Sequence, residues 1–419
     1  MRAEGAAGAA AARGAVMGRG ERTPAPWERA RSAARALGER CGPAAVRTVP
    51  LSEALGAVLA ADLTALVGIP DCDTSAMDGY AVAGPGPWAV TGRVLAGAAP
   101  SAVPLAAGTA VEIATGAPVP PGADAVLPLE QAVRTAEDAV AADGGPPAPG
   151  RHIRRAGEDT RPGDIVVKQG SPVAPAVLGL AAALGHDTLP VYRPRVAVLV
   201  TGDEVVPAGI PAPGAVRDAI GPMLPGVAAW AGAQADPPVR VRDRLGGTVG
   251  ALRAAAGSGA DAIAVCGASS KGPADHLRPA LAALGAEVVV DGVACRPGHP
   301  QLLAHLGPPS APGPAVVGLP GNPNAALVAA LTLLVPVLAA IGGRPDPAAA
   351  EPARARVLDG IDPHPRDTRL VAVRADADGV RPIGHDRPGS LRSPAAADAY
   401  AVIPPGWRGP EAELLRLPR

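Results

Sequence analysis

Phenylalanine is absent from the sequence, and aromatic residues make up only 2% of its 419 residues. Hydrophobic residues nevertheless reach 48%, so the cores must be built by close packing of Ala, Val, Leu and Ile. Lysine is scarce, because Lys168 and Lys271 are the only two and arginine carries the remaining positive charge. The formal net charge of −1 comes without a basic block, which excludes nucleic acid as the expected partner.

Cysteine pairs at short spacing are also missing. The four cysteines, Cys41, Cys72, Cys266 and Cys295, are scattered and form no C-x-x-C motif. This distribution excludes a disulfide framework and a cysteine zinc site, and it fits a reducing cytoplasm.

Neither a leader peptide nor a membrane span is predicted. Residues 1–25 have no continuous apolar run before a cleavage site, so we predict a disordered N-terminal extension. The stretch "AALVAALTLLVPVLAAIGG" at 325–343 approaches the ~20 residues of a spanning helix. However, "PGNPN" caps it, Pro336 interrupts it and an apolar run precedes it. We therefore predict a helix buried against a sheet.

The length predicts two to four domains. Residues 26–66 show helical periodicity, 82–155 show short apolar runs typical of strands, and strands alternate with helices from Arg195. Such alternation predicts a parallel sheet covered on both faces, with ligands at the carboxyl ends of its strands. The predicted domains are a disordered extension (1–25), a helical/linker domain (26–70 plus 160–194), a small β domain (71–159), an α/β domain (195–343) and a separate C-terminal β domain (344–419).

Seven polar segments occur in an order that points to one family. They are "DTSAMDGYAV", "TGAPVPPGADAVLPLEQ", "IRRAGED", "TGDEVV", "PADHLRPAL", "RPGHP" and "GLPGNP". In this order and rough spacing the chain resembles the molybdopterin molybdotransferase family, which includes the E domain of gephyrin. The resemblance covers about residues 26–407.

The resemblance implies both an activity and an architecture. Family members insert molybdate into adenylylated molybdopterin and release AMP with the help of Mg²⁺. They are elongated homodimers whose active site lies between the subunits, and their α/β region is of the molybdopterin-binding type. The expected partners are therefore adenylylated molybdopterin, molybdate and a second copy of the chain, with molybdopterin adenylyltransferase or molybdoenzymes as further candidates.

Several acidic residues match the family's catalytic positions. Glu204 and Asp275 match positions associated with Mg²⁺, a cation that binds one or two carboxylates alongside substrate phosphates. The catalytic candidates are Asp73, Asp159, Asp218 and Asp275. The expected substrate or molybdate contacts are Ser75, Thr115, Ser270, Lys271, Arg296, His299, Pro320, Gly321, Asn322, Pro323, Arg374 and Ser390.

Two of these segments also have a physical interpretation. "GLPGNP" lies where a strand meets a helix, so its backbone N–H groups could receive an anion, although an ordinary helix cap explains it equally well. In "DTSAMDGYAV", Tyr80 and Met77 are expected to pack under the loop while Asp73 and Ser75 face the cleft. A structural turn between domains is the alternative interpretation.

Four departures from the family pattern cluster at the predicted site. "RPGHP" replaces a Lys-Pro-Gly-Lys-Pro motif, Ala268 replaces a glycine, Ile220 replaces an asparagine, and Asn324 stands where a small apolar residue is common. Two hypotheses therefore remain open, a molybdate-inserting transferase and a non-catalytic molybdopterin-binding paralogue. Scaffolding has no support in the sequence, and preference for molybdate over tungstate is not encoded in any recognisable motif.

Overall fold

The computed structural model describes residues 23–267, 275–349 and 354–418. The predicted disorder of residues 1–22 therefore lies outside the described residues. The extension is shorter than predicted, because Ala25 and Pro26 already form a strand, whose partners are Val293 and Ala294.

The secondary structure begins with the two-residue strand β1 and the long helix α1, and it continues mainly in short strands up to residue 192. The elements of this half are β1 Ala25–Pro26, α1 Trp27–Cys41, β2 Val46–Pro50, α2 Leu51–Ala54, β3 Val58–Leu59, β4 Leu63–Thr64, β5 Thr74–Ser75, β6 Gly79–Ala83, β7 Trp88–Val94, β8 Thr109–Ile113, β9 Ala125–Pro128, β10 Ala132–Ala136, β11 Ala139–Ala142, β12 Ile153–Arg154, β13 Ile165–Val167, α3 Pro175–Ala183 and β14 Thr188–Tyr192.

From residue 195 strands and helices alternate, and the last five strands follow without an intervening α-helix. These elements are β15 Arg195–Thr201, β16 Val205–Val206, β17 Val216–Arg217, α4 Leu224–Trp230, β18 Gln234–Ala235, β19 Val239–Val241, α5 Leu245–Gly257, β20 Ala262–Cys266, α6 Leu277–Ala283, β21 Glu287–Asp291, β22 Val293–Arg296, β23 Leu302–His305, β24 Ala315–Leu319, α7 Pro323–Ala329, α8 Val335–Ile341, β25 Arg354–Arg356, β26 Thr368–Asp376, β27 Gly379–Pro382, β28 Ala399–Ile403 and β29 Glu411–Arg416.

The described residues group into two compact units. The first contains residues 23–42, 195–341 and 345–418, apart from the gaps given above, and the second contains residues 43–194 and 342–344. Helix α1 is therefore part of the first unit. The predicted helical periodicity of residues 26–66 is wrong beyond Cys41, since short strands and the one-turn helix α2 follow. Val46, Val49 and Val58 are β-branched, and they form strands that pair with β14.

The α/β sheet of the first unit is mixed, with strand order β18-β15-β20-β24-β23-β21 and β19 beside β15. Strands β15, β18, β19, β20 and β24 run parallel, as the alternation of strands and helices predicts. The prediction of a wholly parallel sheet is wrong at one edge, because β23 and β21 are antiparallel. No helix lies between β23 and β24, and a parallel pair requires a long crossover connection.

The apolar segment after β24 forms one continuous helical run, as predicted. Residues Pro323–Ile341 could span a membrane by length and composition, but 94% of the helix window is buried inside the protein. Between α7 and α8 the residues Ala330–Leu334 adopt a π-helical turn. This wider turn precedes Pro336, which lacks an N–H group, so the helix passes the proline instead of ending there.

A second sheet of the first unit contains the predicted C-terminal strands, in the order β1-β22-β26-β28-β29-β25, with β27 beside β26. Residues before this segment also join the sheet, because β22 pairs in parallel with β26 through Cys295 and Thr368. The segment 293–296 thus leaves the α/β sheet and extends the C-terminal one.

The second unit contains a six-stranded sheet in the order β10-β11-β7-β8-β6-β9, together with smaller sheets. Tyr80 and Trp88 are buried at its centre with Leu127, which confirms the expected packing of Tyr80. Gly79 is required by this packing, because a Cβ there would lie 2.0 Å from the Leu127 carbonyl oxygen. Met77 is only half-buried.

Candidate active site

A cleft of about 510 Å³ lies at the carboxyl ends of β15, β20 and β24. This is the edge where the loops of a parallel α/β sheet are expected to bind ligands. The described residues that line the cleft are Val200, Thr201, Gly202, Glu204, Val205, Val216, Arg217, Asp218, Ala219, Ile220, Asp243, Cys266, Gly267, Asp275, Gly321, Asn322, Pro323 and Gly389. The predicted residues Glu204, Asp218, Asp275, Gly321, Asn322 and Pro323 are all among them.

The loop that carries Glu204 is held by an aspartate that the sequence analysis missed. The Asp243 carboxylate accepts hydrogen bonds from the backbone N–H groups of Gly202 at 3.0 Å and Asp203 at 3.3 Å. Within the described ranges, the exposed carboxylate of Glu204 has neither a hydrogen bond nor an ion pair. Asp243 stands two residues after β19, and an acidic residue just after a strand is the signal that could have identified it.

Asp218 closes a tight turn with its own carboxylate. Its Oδ1 accepts hydrogen bonds from the N–H groups of Ile220 at 3.0 Å and Gly221 at 2.9 Å. Ile220, which replaces an asparagine of the family pattern, is only 6% exposed and packs inward. The turn therefore depends on the backbone of residue 220, and the exchange of its side chain leaves Asp218 in place.

The side chain of Asp275 is buried in the wall of the cleft, with 4% of its surface exposed. Its Oδ1 accepts a hydrogen bond from Leu277 N–H at 2.9 Å, and its Oδ2 lies 3.2 Å from Nη1 of Arg278. Burial raises the pKa of Asp275, whereas the hydrogen bond and the arginine oppose this shift only in part. The fold thus holds a carboxylate that is costly to ionise, a condition frequent at functional sites.

The floor of the cleft is formed by close contacts between backbones. Gly267 has φ +86°, and a Cβ there would lie 3.1 Å from both the carbonyl and the hydroxyl oxygen of Thr201. Cys266 beside it is fully buried, and burial together with the charge of Asp218 raises the pKa of its thiol. Ala268, Ser270 and Lys271 lie outside the described residues.

The amino end of helix α7 is less available to an anion than predicted. The N–H groups of Asn324 and Ala325 both donate to the carbonyl of Pro388, at 2.9 Å and 3.2 Å. Asn322 begins the helix but makes no capping hydrogen bond with its side chain. The N–H groups of residues 324 and 325 are therefore already paired, and the prediction for the backbone of residues 318–323 remains a prediction. Pro320 is buried and does not line the cleft, whereas the next residue, Gly321, does.

The cleft carboxylates could bind a hard divalent cation only if a bound phosphate or water supplied further oxygen ligands. Among the described residues, no three His, Cys, Asp or Glu side chains form a group that could hold a metal ion. Glu204 and Asp275 nevertheless supply carboxylate oxygens to one cleft. Since Mg²⁺ is commonly bound by one or two carboxylates with phosphates and water, this donor set fits it.

The predicted molybdate contacts of the C-terminal sheet do not line this cleft. Arg296 donates from Nε to Asp367 at 2.7 Å, and His299 is exposed with no side-chain partner among the described residues. Arg374 donates to the carbonyl of Ala396 and lines a second cavity. Ser390 lies directly after Gly389 and accepts a hydrogen bond from Arg392 N–H at 3.3 Å.

The remaining predicted residues, Asp73, Ser75, Thr115 and Asp159, lie in the second unit. Burial raises the pKa of Asp73, but the Ala156 N–H at 2.9 Å and Arg155 outweigh it and lower that pKa overall. Ser75 is 1% exposed, and its hydroxyl donates to Met77 O at 2.6 Å.

Thr115 and Asp159 occupy different surroundings in that unit. Both the N–H and the hydroxyl of Thr115 donate to Asp78, which lowers the pKa of Asp78. The backbone N–H of Asp159 donates to the carbonyl of Ile69 at 3.1 Å. The hydroxyl of Thr160 approaches the Asp159 carboxylate at 3.5 Å.

Three known protein families match successive parts of the chain. Residues 26–185 match the MoeA N-terminal region (domain I and II), and 354–412 match the MoeA C-terminal region (domain IV). Residues 197–340, which contain the strands around the cleft, match the family described as a probable molybdopterin binding domain. The class defined by fold and cleft is thus a multidomain protein built around a molybdopterin-binding α/β domain.

Similarity to individual relatives identifies the family within this class. The chain is 38% identical over 349 residues to molybdopterin molybdenumtransferase 2 of Mycobacterium tuberculosis, covering 77% of this chain and 81% of the relative. It is 36% identical to the molybdopterin molybdenumtransferase of Synechococcus elongatus, covering 71% and 76%. The crystal structure of a molybdopterin biosynthesis moeA protein from Pyrococcus horikosii is similar with TM-score 0.69 and 27% identity, covering 94% and 99%. The chain belongs to the molybdopterin molybdenumtransferase family.

Proposed function

We propose that the protein inserts molybdate into adenylylated molybdopterin and releases AMP, a step of molybdenum cofactor biosynthesis. The observation that carries this proposal is the convergence of Glu204, Asp218, Asp275 and Asn322 on one cleft at the strand ends. The names of the relatives support the same reaction. In it an oxygen of molybdate or water would attack phosphorus and break the phosphoanhydride bond, with AMP as the leaving group. The dithiolate sulfurs would replace oxygen ligands of molybdate, which leave as water with protons from the thiols or the solvent, and molybdenum would keep its oxidation state.

The carboxylates of the cleft differ in whether protein groups already hold them. Glu204 is the carboxylate with no partner in the described parts of the chain, so it is free to bind a ligand. Asp218 and Asp275 are held by backbone N–H groups, which orient their remaining oxygens. Glu204 and Asp275 would hold Mg²⁺, whose charge would polarise the phosphate of the substrate.

We further propose that a homodimer completes the site. Ser390 follows the lining residue Gly389 directly and would serve the cleft of its own chain. The molybdate dianion requires further cationic donors, and Arg296, His299 and Arg374 do not line that cleft. A second copy would supply them to the cleft, along with Asp73, Asp159, Ser75 and Thr115. Mixing inactive Glu204→Gln and Arg296→Ala chains should restore activity if each site combines Glu204 of one copy with Arg296 of the other, because one site of the mixed dimer is then intact.

The proposal also covers the boundaries of the domains and the cellular compartment of the protein. We propose a helical/linker domain at 26–70 plus 160–194, a β domain at 71–159, an α/β domain at 195–343 and a β domain at 344–419. We also propose a cytoplasmic location, which is consistent with the absence of a disulfide among the four cysteines.

The reaction is tested by AMP release from adenylylated molybdopterin and Mg²⁺, with and without molybdate. We expect release that depends on molybdate, and its loss in Glu204→Gln. Glu112→Gln is the matched control, since Glu112 pairs with Arg93 at 2.9 Å on the exposed surface of the second unit. Binding of the pterin without release would reject the transferase in favour of the non-catalytic paralogue. Tungstate in place of molybdate tests the choice of oxyanion.

A further inference from the structure

Asn324 is a buried polar residue at a position where the family commonly has a small apolar side chain. It is 1% exposed and lies at the start of α7. Its Oδ1 accepts a hydrogen bond from the Tyr400 hydroxyl at 2.6 Å, and its Nδ2 donates to the carbonyl of Arg387 at 3.2 Å. Burial of an amide is costly unless it is hydrogen-bonded, and both ends of this amide are.

The partners of Asn324 hold a loop that reaches the cleft. Residues 387–390 follow β27, and the carbonyl of Pro388 receives the N–H groups of residues 324 and 325. Gly389 of this loop lines the cleft, where a Cβ would lie 3.4 Å from Oδ1 of Asn322. Three hydrogen bonds from the Asn324 backbone, the Asn324 side chain and the Ala325 backbone thus tie the loop to the helix.

Tyr400 supports this arrangement from the centre of β28. It is 1% exposed, and burial raises the pKa of its hydroxyl, so that it remains a donor throughout the neutral range. A valine at position 324 would leave the Tyr400 hydroxyl and the Arg387 carbonyl without this partner. Since buried unpaired groups are unfavourable, the loop is expected to move when the amide is removed.

We propose that Asn324 and Tyr400 are positioning residues that fix the loop 387–390 against the cleft and thereby set its affinity for the oxyanion substrate. Neither side chain lines the cleft, so both act through Gly389 and Ser390. The inference rests on the proposed molybdate insertion. It also accounts for one departure from the family pattern, because Asn324 would be coupled to Tyr400 in this chain.

The test compares Asn324→Val, Tyr400→Phe and the double variant. In the AMP-release assay we expect each to raise the KM for molybdate by about tenfold, with kcat changed by less than about twofold. The double variant should be no worse than Asn324→Val, because both changes break one unit. Hydrogen exchange of the amides of residues 324, 325 and 390 should become faster, since all three donate to carbonyls of this loop.

Thr332→Val is the matched control. Thr332 is fully buried in the same helical run and accepts a hydrogen bond from Trp27 Nε1 at 3.1 Å, away from the cleft. We expect it to lower stability without changing the KM. An unchanged KM in both Asn324→Val and Tyr400→Phe, or an equal rise in Thr332→Val, would overturn the positioning role. Absence of AMP release from the wild-type protein would instead overturn the proposed function. Tyr400→Phe removes one hydroxyl, so it tests the idea even if Asn324→Val fails to fold.

Discussion

We expect the substitution Arg31→Met to lower the melting temperature of the first unit strongly. Arg31 lies on α1, and its side chain is 10% exposed. It forms an ion pair with Asp346, packs over the Trp27 ring at 5.3 Å and donates from Nη1 to the Leu331 carbonyl at 2.6 Å. Burial lowers the pKa of Arg31, although the charge of Asp346 opposes that shift.

The Leu331 carbonyl lies in the π-helical turn, where the N–H groups that follow do not pair in the α-helical pattern. In the π-helical turn the N–H of Val335 donates to the carbonyl of Ala330. The next residue is Pro336, which has no N–H group to offer. Arg31 therefore satisfies an acceptor that the proline leaves open.

The loss of stability in Arg31→Met can be estimated from the groups that would lose their partner. Removing one partner of a buried ion pair costs about 3–5 kcal/mol, and an unsatisfied carbonyl costs about 1–3 kcal/mol. These contributions overlap, and the pair is slightly exposed, so we expect about 4 kcal/mol in total. For a unit of this size, about 4 kcal/mol corresponds to a Tm lower by roughly 10 °C.

Thermal unfolding followed by circular dichroism measures this change. Arg35→Met is the matched control on the same helix, because Arg35 makes an exposed ion pair with Glu39 at 3.1 Å and should cost less than about 0.5 kcal/mol. In Arg31→Met/Asp346→Asn, part of the stability should return, since no unpaired charge remains. A Tm for Arg31→Met within about 3 °C of the wild type would refute this reasoning.

The remaining predictions concern close backbone contacts and one ionisable group. Gly79→Ala should cost about 3 kcal/mol in chemical denaturation, since its Cβ would overlap the Leu127 carbonyl. Gly267→Ala should cost about 2 kcal/mol and reduce AMP release, because φ is +86° and Thr201 is close. The pKa of Asp275 is raised in the folded protein, so its contribution to stability is lost as pH rises through that pKa. Asp275→Asn should therefore unfold no earlier than wild type at neutral pH while losing activity, and wild-type activity should fall as Asp275 protonates in acid. An unfolding midpoint clearly below wild type would contradict this sign.

The sequence predicted those parts of the fold that depend on local pattern. The strands at 195–201, 262–266 and 315–319 and the buried helix after Pro323 follow from apolar periodicity and glycine-rich boundaries. The antiparallel edge formed by β21 and β23 has no local signal, because apolar strands of either direction look alike. Periodicity also overestimated the helix beyond Cys41, since Ala and Leu are compatible with short strands between polar residues.

The candidate site was predictable where a motif places a residue at a strand end. Glu204, Asp218 and Asp275 reach the cleft in this way. Asp243 escaped notice because it acts through backbone N–H groups of another loop, 40 positions away in the sequence for Asp203. The partnership of Asn324 with Tyr400 was equally hidden, since 76 positions separate the two residues.

The charge of the cleft favours a reaction over simple storage of a pterin. Its described lining contains four carboxylates, those of Glu204, Asp218, Asp243 and Asp275, and one cation, Arg217. Such a lining repels an anionic substrate, so a protein that only bound the pterin phosphate would gain nothing from it. A divalent cation held by Glu204 and Asp275 would reverse that balance. Burial raises the pKa of Asp275, and such a cation would favour the ionised form of this carboxylate against that shift.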